Sequence, residues 1–108
     1  MNVYDSAHNL AKAIKNSDEY TDYIAAKEKL DASEGLKNAF EDFQKRESEM
    51  QMSIIGGNEP DDNEIETLNS LYGVLSKDPL GSEYLQAESR YRQMLDDMSR
   101  ILADAMQI

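Results

Sequence analysis

The sequence predicts an all-α fold, a helical bundle with two long helices at about 32–55 and 79–108 and three shorter ones. Three observations predict it. Ala, Leu, Glu, Lys, Asp, Ser and Gln dominate while Val and Thr are scarce, a composition that favours helix over strand. No strand-like alternation of apolar and polar residues persists anywhere. The C-terminal part carries an unbroken heptad seam: Leu80, Tyr84, Ala87, Tyr91, Met94, Met98, Ile101, Ala105 and Ile108, spaced 4-3-4-3-4-3-4-3. Such a seam lies on one face of a helix that packs against other helices.

The elements follow in chain order. A first helix spans Val3 to Lys15, with Val3, Ala7, Leu10 and Ile14 as its apolar line. Asn16-Ser17 breaks it, and Ser17 is a good N-cap for the second helix, Asp18 to about Leu30, which turns Tyr20, Tyr23, Ile24 and Leu30 inward. Asp31 with Glu34 has the spacing of a capping box, so the third helix is expected from Ala32 to about Ile55. Its seam is Leu36, Phe40, Phe43, Glu47, Met50, Ile54. Glu47 interrupts the register and is expected to be solvated or to pair with a base across an interface. Gly56-Gly57-Asn58-Glu59-Pro60 ends this helix. Asp61 with Glu64 is a second capping box for a fourth helix facing inward with Ile65, Leu68, Leu71, Tyr72 and Leu75. Gly73 within it marks close packing or a weak point. After a break at Ser76-Lys77-Asp78, Asp78 caps the fifth helix and Pro79 takes its first position.

One domain over 1–108 is expected at this length. The fifth helix would be roughly 45 Å long at about 1.5 Å per residue. A compact fold of this size is only roughly 30 Å across. Part of the seam therefore needs a second chain. The alternation of large Tyr84, small Ala87 and large Tyr91 suits a partner helix inserting at Ala87, and beyond Met94 the face widens to Leu95, Leu102 and Met106. The candidate interface comprises Leu80, Tyr84, Ala87, Tyr91, Met94, Leu95, Met98, Ile101, Leu102 and Ala105 on the fifth helix, and Phe40, Phe43, Met50 and Ile54 on the third. The expected assembly is a homodimer or higher oligomer.

Charge decides against one class of partner. The formal net charge is -11, and between Arg46 and Lys77 there is no basic residue but seven acids. Phosphate backbones and anionic membranes would be repelled there, so neither direct nucleic-acid binding nor membrane binding is expected. No apolar run approaches the ~20 residues of a membrane span. Met1-Asn2-Val3-Tyr4-Asp5 has no signal-peptide character. With no cysteine in the chain, disulfides and thiolate-held metals are excluded, and a cytoplasmic location is expected.

Catalytic and cofactor signals are weak throughout. His8 is the single histidine, whereas a bundle di-iron site needs repeated Glu-x-x-His elements. The acids from Asp61 fail the calcium-loop pattern, since its sixth and twelfth positions hold Glu66 and Tyr72. Glu41/Asp42 and Asp96/Asp97 are adjacent on helices, so their side chains diverge. The glycines match no phosphate-binding fingerprint. Arg90 and Arg92 flank Tyr91 and are expected to cover the seam edge and pair with nearby acids. No catalytic, cofactor or metal residues are assigned.

With Tyr4-Asp5, Ala7, Leu10 and Ile14, then Ser17-x-Glu19-Tyr20, Asp31, Phe40-x-x-Phe43-Gln44 and Tyr84-Leu85-Gln86-Ala87-Glu88-x-Arg90 in order, the chain resembles the YlbF/YmcA family of small bacterial helical proteins, nearest its YheA-like branch. The resemblance covers nearly the whole chain. It implies an all-helical, self-associating, non-enzymatic protein. It also implies an accessory role in RNA processing through ribonuclease Y, with family paralogues or a ribonuclease complex as partners and developmental regulation as the outcome. Some relatives carry cysteines linked to iron–sulfur clusters, which have no counterpart in this cysteine-free chain. The function expected is thus a cytoplasmic interaction and regulatory module. The alternatives are a metal- or ligand-binding bundle with a carboxylate site, or a structural, chaperone-like helical protein.

Overall fold

The computed structural model of the chain describes residues 2–107, which form five helices in the order α1 (Val3–Lys15), α2 (Asp18–Asp31), α3 (Glu34–Ile55), α4 (Asp62–Lys77) and α5 (Pro79–Met106). Ile108, the last position of the predicted seam, lies outside the described residues. No strand occurs among the described residues.

Short polar residues start most of these helices, as capping chemistry requires. The Asn2 side chain accepts the Tyr4 N–H at 2.7 Å at the head of α1. Ser17 Oγ accepts the Tyr20 N–H at 3.1 Å and donates to the Ile14 carbonyl at 2.6 Å, so one hydroxyl closes α1 and opens α2. Asp61 Oδ1 accepts the Asn63 N–H at 2.8 Å, and Asp78 Oδ1 accepts the Leu80 N–H at 2.9 Å. Each satisfies an N–H that the helix itself leaves unpaired.

Three boundaries differ from expectation. Asp31 is the last residue of α2 and does not cap α3. The extended residue is Ser33 (φ -99°, ψ 105°), whose carbonyl accepts the first α3 bond from the Lys37 N–H at 2.9 Å while its side chain makes no cap bond. The third helix therefore begins at Glu34, two residues later than predicted. Ser76 and Lys77 stay helical, which leaves Asp78 alone between α4 and α5. The fifth helix ends at Met106, where Gln107 turns to a φ of 58°.

The end of α3 is a Schellman motif. The Gly57 N–H donates to the Ile54 carbonyl at 3.0 Å and the Asn58 N–H to the Ser53 carbonyl at 3.1 Å. Gly57 adopts a φ of 95°, which side-chain-bearing residues rarely take.

The chain divides into two compact units. Unit 1 comprises 1–28 and 84–108, and unit 2 runs from Lys29 to Glu83. In unit 2, α3 and α4 pack as an antiparallel hairpin: Phe43 meets Tyr72 at a ring distance of 6.0 Å, while Ser53 and Glu64 line one cavity near the connecting turn. Leu30, Phe40, Leu68 and Leu75 are buried in this unit. Its first and last residues, Lys29 and Glu83, form an ion pair at 3.0 Å. Both side chains are about half exposed, so the pair adds little stability.

The critical glycine of unit 2 is Gly81. A Cβ added there would stand 2.0 Å from the Leu75 carbonyl oxygen, whereas a Cβ at Gly73 would meet nothing within 4 Å. The one-residue link at Asp78 brings the head of α5 onto the tail of α4, and only a glycine fits. Gly73 therefore does not mark close packing.

Candidate functional site

The fifth helix carries most of the candidate interface, and the structure sorts those residues by depth. Tyr84 and Ala87 are buried, at 3% and 1% exposure. Tyr91, Met94, Leu95 and Met98 are half-buried, while Ile101 and Leu102 are 60% and 53% exposed. Ala105 and Met106 are exposed too.

Tyrosines of α2 cover the buried stretch. The Tyr23 ring stacks on Tyr91 at 5.0 Å and 15° and tilts against Tyr84 at 5.8 Å, and Tyr20 meets Tyr91 at 5.6 Å. Aromatic pairs at these separations contribute about 0.5–1.5 kcal/mol each beyond the area they bury. The large–small–large pattern at Tyr84, Ala87 and Tyr91 is thus packed by tyrosines of α2 of the same chain. Burial raises the Tyr84 phenol well above its ordinary pKa, and its hydrogen bond with Tyr23 and the nearby Glu88 carboxylate push in the same direction.

Arg90 faces Asp22 at 3.9 Å and Arg92 pairs with Glu88. Both arginines meet acids, as the sequence suggests.

Unit 1 therefore ends in an apolar surface that the chain does not cover. Ile101, Leu102 and Met106 on α5 are exposed, and so, on α1, are Val3 and Tyr4 at 81% and 78%. No residue of α1 is buried. Val3 stands in the apolar line of the first helix that the sequence shows, with Tyr4 beside it, but the sequence does not show their exposure.

The remaining candidates lie in unit 2. Phe40 is buried in the core and Leu80 is half-buried. Ile54 is exposed beside Met52 and Ile55 at the end of α3. Phe43 and Met50 line a groove between α3 and α4, a cavity of about 260 Å³ that also involves Glu47, Ile65, Leu68, Asn69 and Tyr72. A smaller cavity of about 120 Å³ shares Met50 and Leu68 and is edged by Arg46, Glu49, Ser53 and Glu64. Glu47, the break in the α3 register, is half-buried in this groove. The sequence signal that marks the groove is that single misplaced acid.

Among the described residues, no group of three or more His, Asp or Glu side chains is arranged to hold a metal ion. No helix among them is long and apolar enough to cross a membrane.

The family model described as control of competence regulator ComK, YlbF/YmcA, matches residues 3–107. A UPF0342 protein of Caldicellulosiruptor bescii is 38% identical over 106 residues, covering 98% of this chain and 89% of the relative. A UPF0342 protein of Bacillus velezensis is 26% identical over 102 residues, covering 94% of this chain and 88% of its own. Among solved structures, a protein of unknown function (DUF964) from Bacillus stearothermophilus superposes with a TM-score of 0.85 over 97% of this chain and 92% of that one. At 14% sequence identity, that likeness speaks for the helical fold alone.

Proposed function

The chain belongs to the YlbF/YmcA family, and we propose that it is a non-enzymatic, cytoplasmic interaction module that self-associates and serves as an accessory factor in RNA processing or turnover linked to ribonuclease Y. The observation that carries this reading is the uncovered apolar end of unit 1: Ile101, Leu102 and Met106 continue a seam whose earlier part, Tyr84 to Tyr91, is a packed helix contact. A helix face that is core at one end and bare at the other suits a protein whose work is to hold another protein. The family description, control of a competence regulator, supports regulation as the purpose. The net charge of -11 supports an action on RNA through a protein partner.

The test is affinity capture of the full chain from its host cells, with and without nuclease, read by mass spectrometry beside a Leu102→Glu variant. The expected result is a short, nuclease-resistant set containing family members or a ribonuclease, and lost in the variant. Recovery of this chain alone would remove the regulatory reading. A monomer mass at every concentration in sedimentation would remove self-association.

A further inference from the structure

The groove of unit 2 combines three properties. It is apolar, with Phe43 and Met50 on the α3 side and Ile65, Leu68 and Tyr72 on the α4 side. Its volume of about 260 Å³ falls short of the ~300–1,000 Å³ of sites for whole small molecules and suits one or two side chains. Its polar groups are the Glu47 carboxylate, the Asn69 amide and the Tyr72 phenol, so its one charge is negative. Among the described residues no ion pair involves Glu47, Glu49 or Glu64. Arg46, the basic residue beside Glu47 in sequence, donates its Nε–H to both oxygens of Asp42 at 3.1 Å. The next 30 residues, from 47 to 76, contain no Lys or Arg.

Glu47 is the informative residue. It takes a register position where Phe43 and Met50 would lead one to expect an aliphatic side chain, and it is half-buried. Holding a carboxylate partly out of water costs free energy unless a cation meets it. Among the described residues no cation pairs with it, which leaves this carboxylate open to a cation carried by an occupant.

We propose that the α3–α4 groove is a docking site for a basic amphipathic helix of a partner protein, which sets apolar side chains one turn apart over Met50 and Leu68 and a Lys or Arg against Glu47. Helices recognised in grooves present their anchors at such i, i+3 or i+4 spacing. Opposite charge then sets orientation and speeds encounter. A second copy of this chain is the poorer occupant, because its own charge of -11 repels Glu47 and the acids of the 47–66 stretch. The proposal rests on the interaction-module reading and adds the chemistry of the partner.

The experiment uses the full chain and two synthetic peptides of about 15 residues with one leucine pattern, the remaining positions being Lys in one peptide and Glu in the other. Binding is read by fluorescence anisotropy and by the methyl signals of Met50 and Ile65. The Leu/Lys peptide is expected to bind with a Kd on the order of 10 μM, to shift those methyls and to weaken with added salt. The Leu/Glu peptide should not bind. Glu47→Lys should weaken binding about tenfold and Glu47→Gln about threefold, whereas Asp96→Lys, the same charge change on α5, should leave it within about twofold. An equal loss in Asp96→Lys would reduce the effect to net charge and overturn the proposal. So would equal binding of the two peptides, unmoved Met50 and Ile65 methyls, or self-association that shifts those methyls without peptide. If partners captured from cells survive Glu47→Lys, the groove assignment fails while the module reading stands. If capture returns this chain alone but the peptide data hold, the reverse is true.

Discussion

The two units solve the same packing problem with different materials. Unit 2 buries Leu30, Phe40, Leu68 and Leu75, and its α4–α5 junction is so close that Gly81 has no room for a methyl group. Unit 1 buries two alanines, Ala26 and Ala87, with one tyrosine, Tyr84, and relies on phenol rings stacked and tilted against one another. The first is held by large aliphatic volume and a tight backbone contact. The second is held by a few flat contacts; both leave large apolar side chains in the open, Val3, Tyr4, Ile101, Leu102 and Met106 in unit 1 and Met52, Ile55 and Val74 among those in unit 2. The difference teaches that a long helical face can be divided by depth, with one stretch of α5 committed to the fold and another left exposed.

The sharpest way to break this contrast is Leu75→Ala, which should cost about 2–5 kcal/mol in chemical denaturation because Leu75 is 1% exposed and its cavity cannot collapse onto a fixed backbone. A loss under about 1 kcal/mol would show that unit 2 is not the denser of the two. Next is Gly81→Ala, expected to cost about 2–3 kcal/mol because the new Cβ meets a backbone carbonyl that cannot swing away. Gly73→Ala, in open space within α4, should instead be neutral or slightly stabilising, and a larger loss there than at Gly81 would reverse the assignment.

In unit 1 the expected effects are smaller. The Tyr84 pKa is raised in the folded state, so the folded chain keeps its phenol proton at a pH where the unfolded chain has lost it. The associated stability is fully present below about pH 10 and declines above it, with a slope of at most about 1.4 kcal/mol per pH unit. Urea midpoints of the wild type and Tyr84→Phe should therefore converge as pH rises above about 10, and parallel curves would show that burial of this phenol is not linked to folding. Smallest of all is Leu102→Ser. Its stability change should stay within about 0.5 kcal/mol, as for an exposed position without fixed partners. A sedimentation shift toward lower mass, with no loss of stability, is the outcome that would separate an interface residue from a core residue.

Much of the fold was legible because helix starts are local. Ser17, Asp61 and Asp78 act as caps through bonds that reach only two or three residues along the chain. Gly56-Gly57 ended α3 for an equally local reason, the left-handed turn at Gly57. The misplaced start of α3 shows the limit. Asp31 and Ser33 are both capping residue types two positions apart, and which one turns extended depends on where α2 gives up its last helical bond, the Ser33 N–H to the Leu30 carbonyl.

The candidate surfaces were less legible. The fourteen interface candidates lie on two seams, one on α3 and one on α5, yet Phe40, Tyr84 and Ala87 are inside the chain's own core and Ile101, Leu102 and Ala105 are outside it. Periodicity identifies a face and says nothing of what covers it. Tyr20 and Tyr23 lie some 60 residues before the seam they cover, and no local rule links them to it.

By itself the sequence determined that the chain is helical, where most helices begin and end, that it is acidic, and that one face of α5 is apolar from end to end. These are properties of neighbouring residues and of summed charge, and they need no tertiary contact. Only the tertiary structure decided that α2 occupies the seam at Ala87, that Gly81 and not Gly73 is the indispensable small residue, and that Glu47 stands in an apolar groove without a cation. Each of those depends on which distant side chain arrives at a given face, and that is settled by the packing of whole helices.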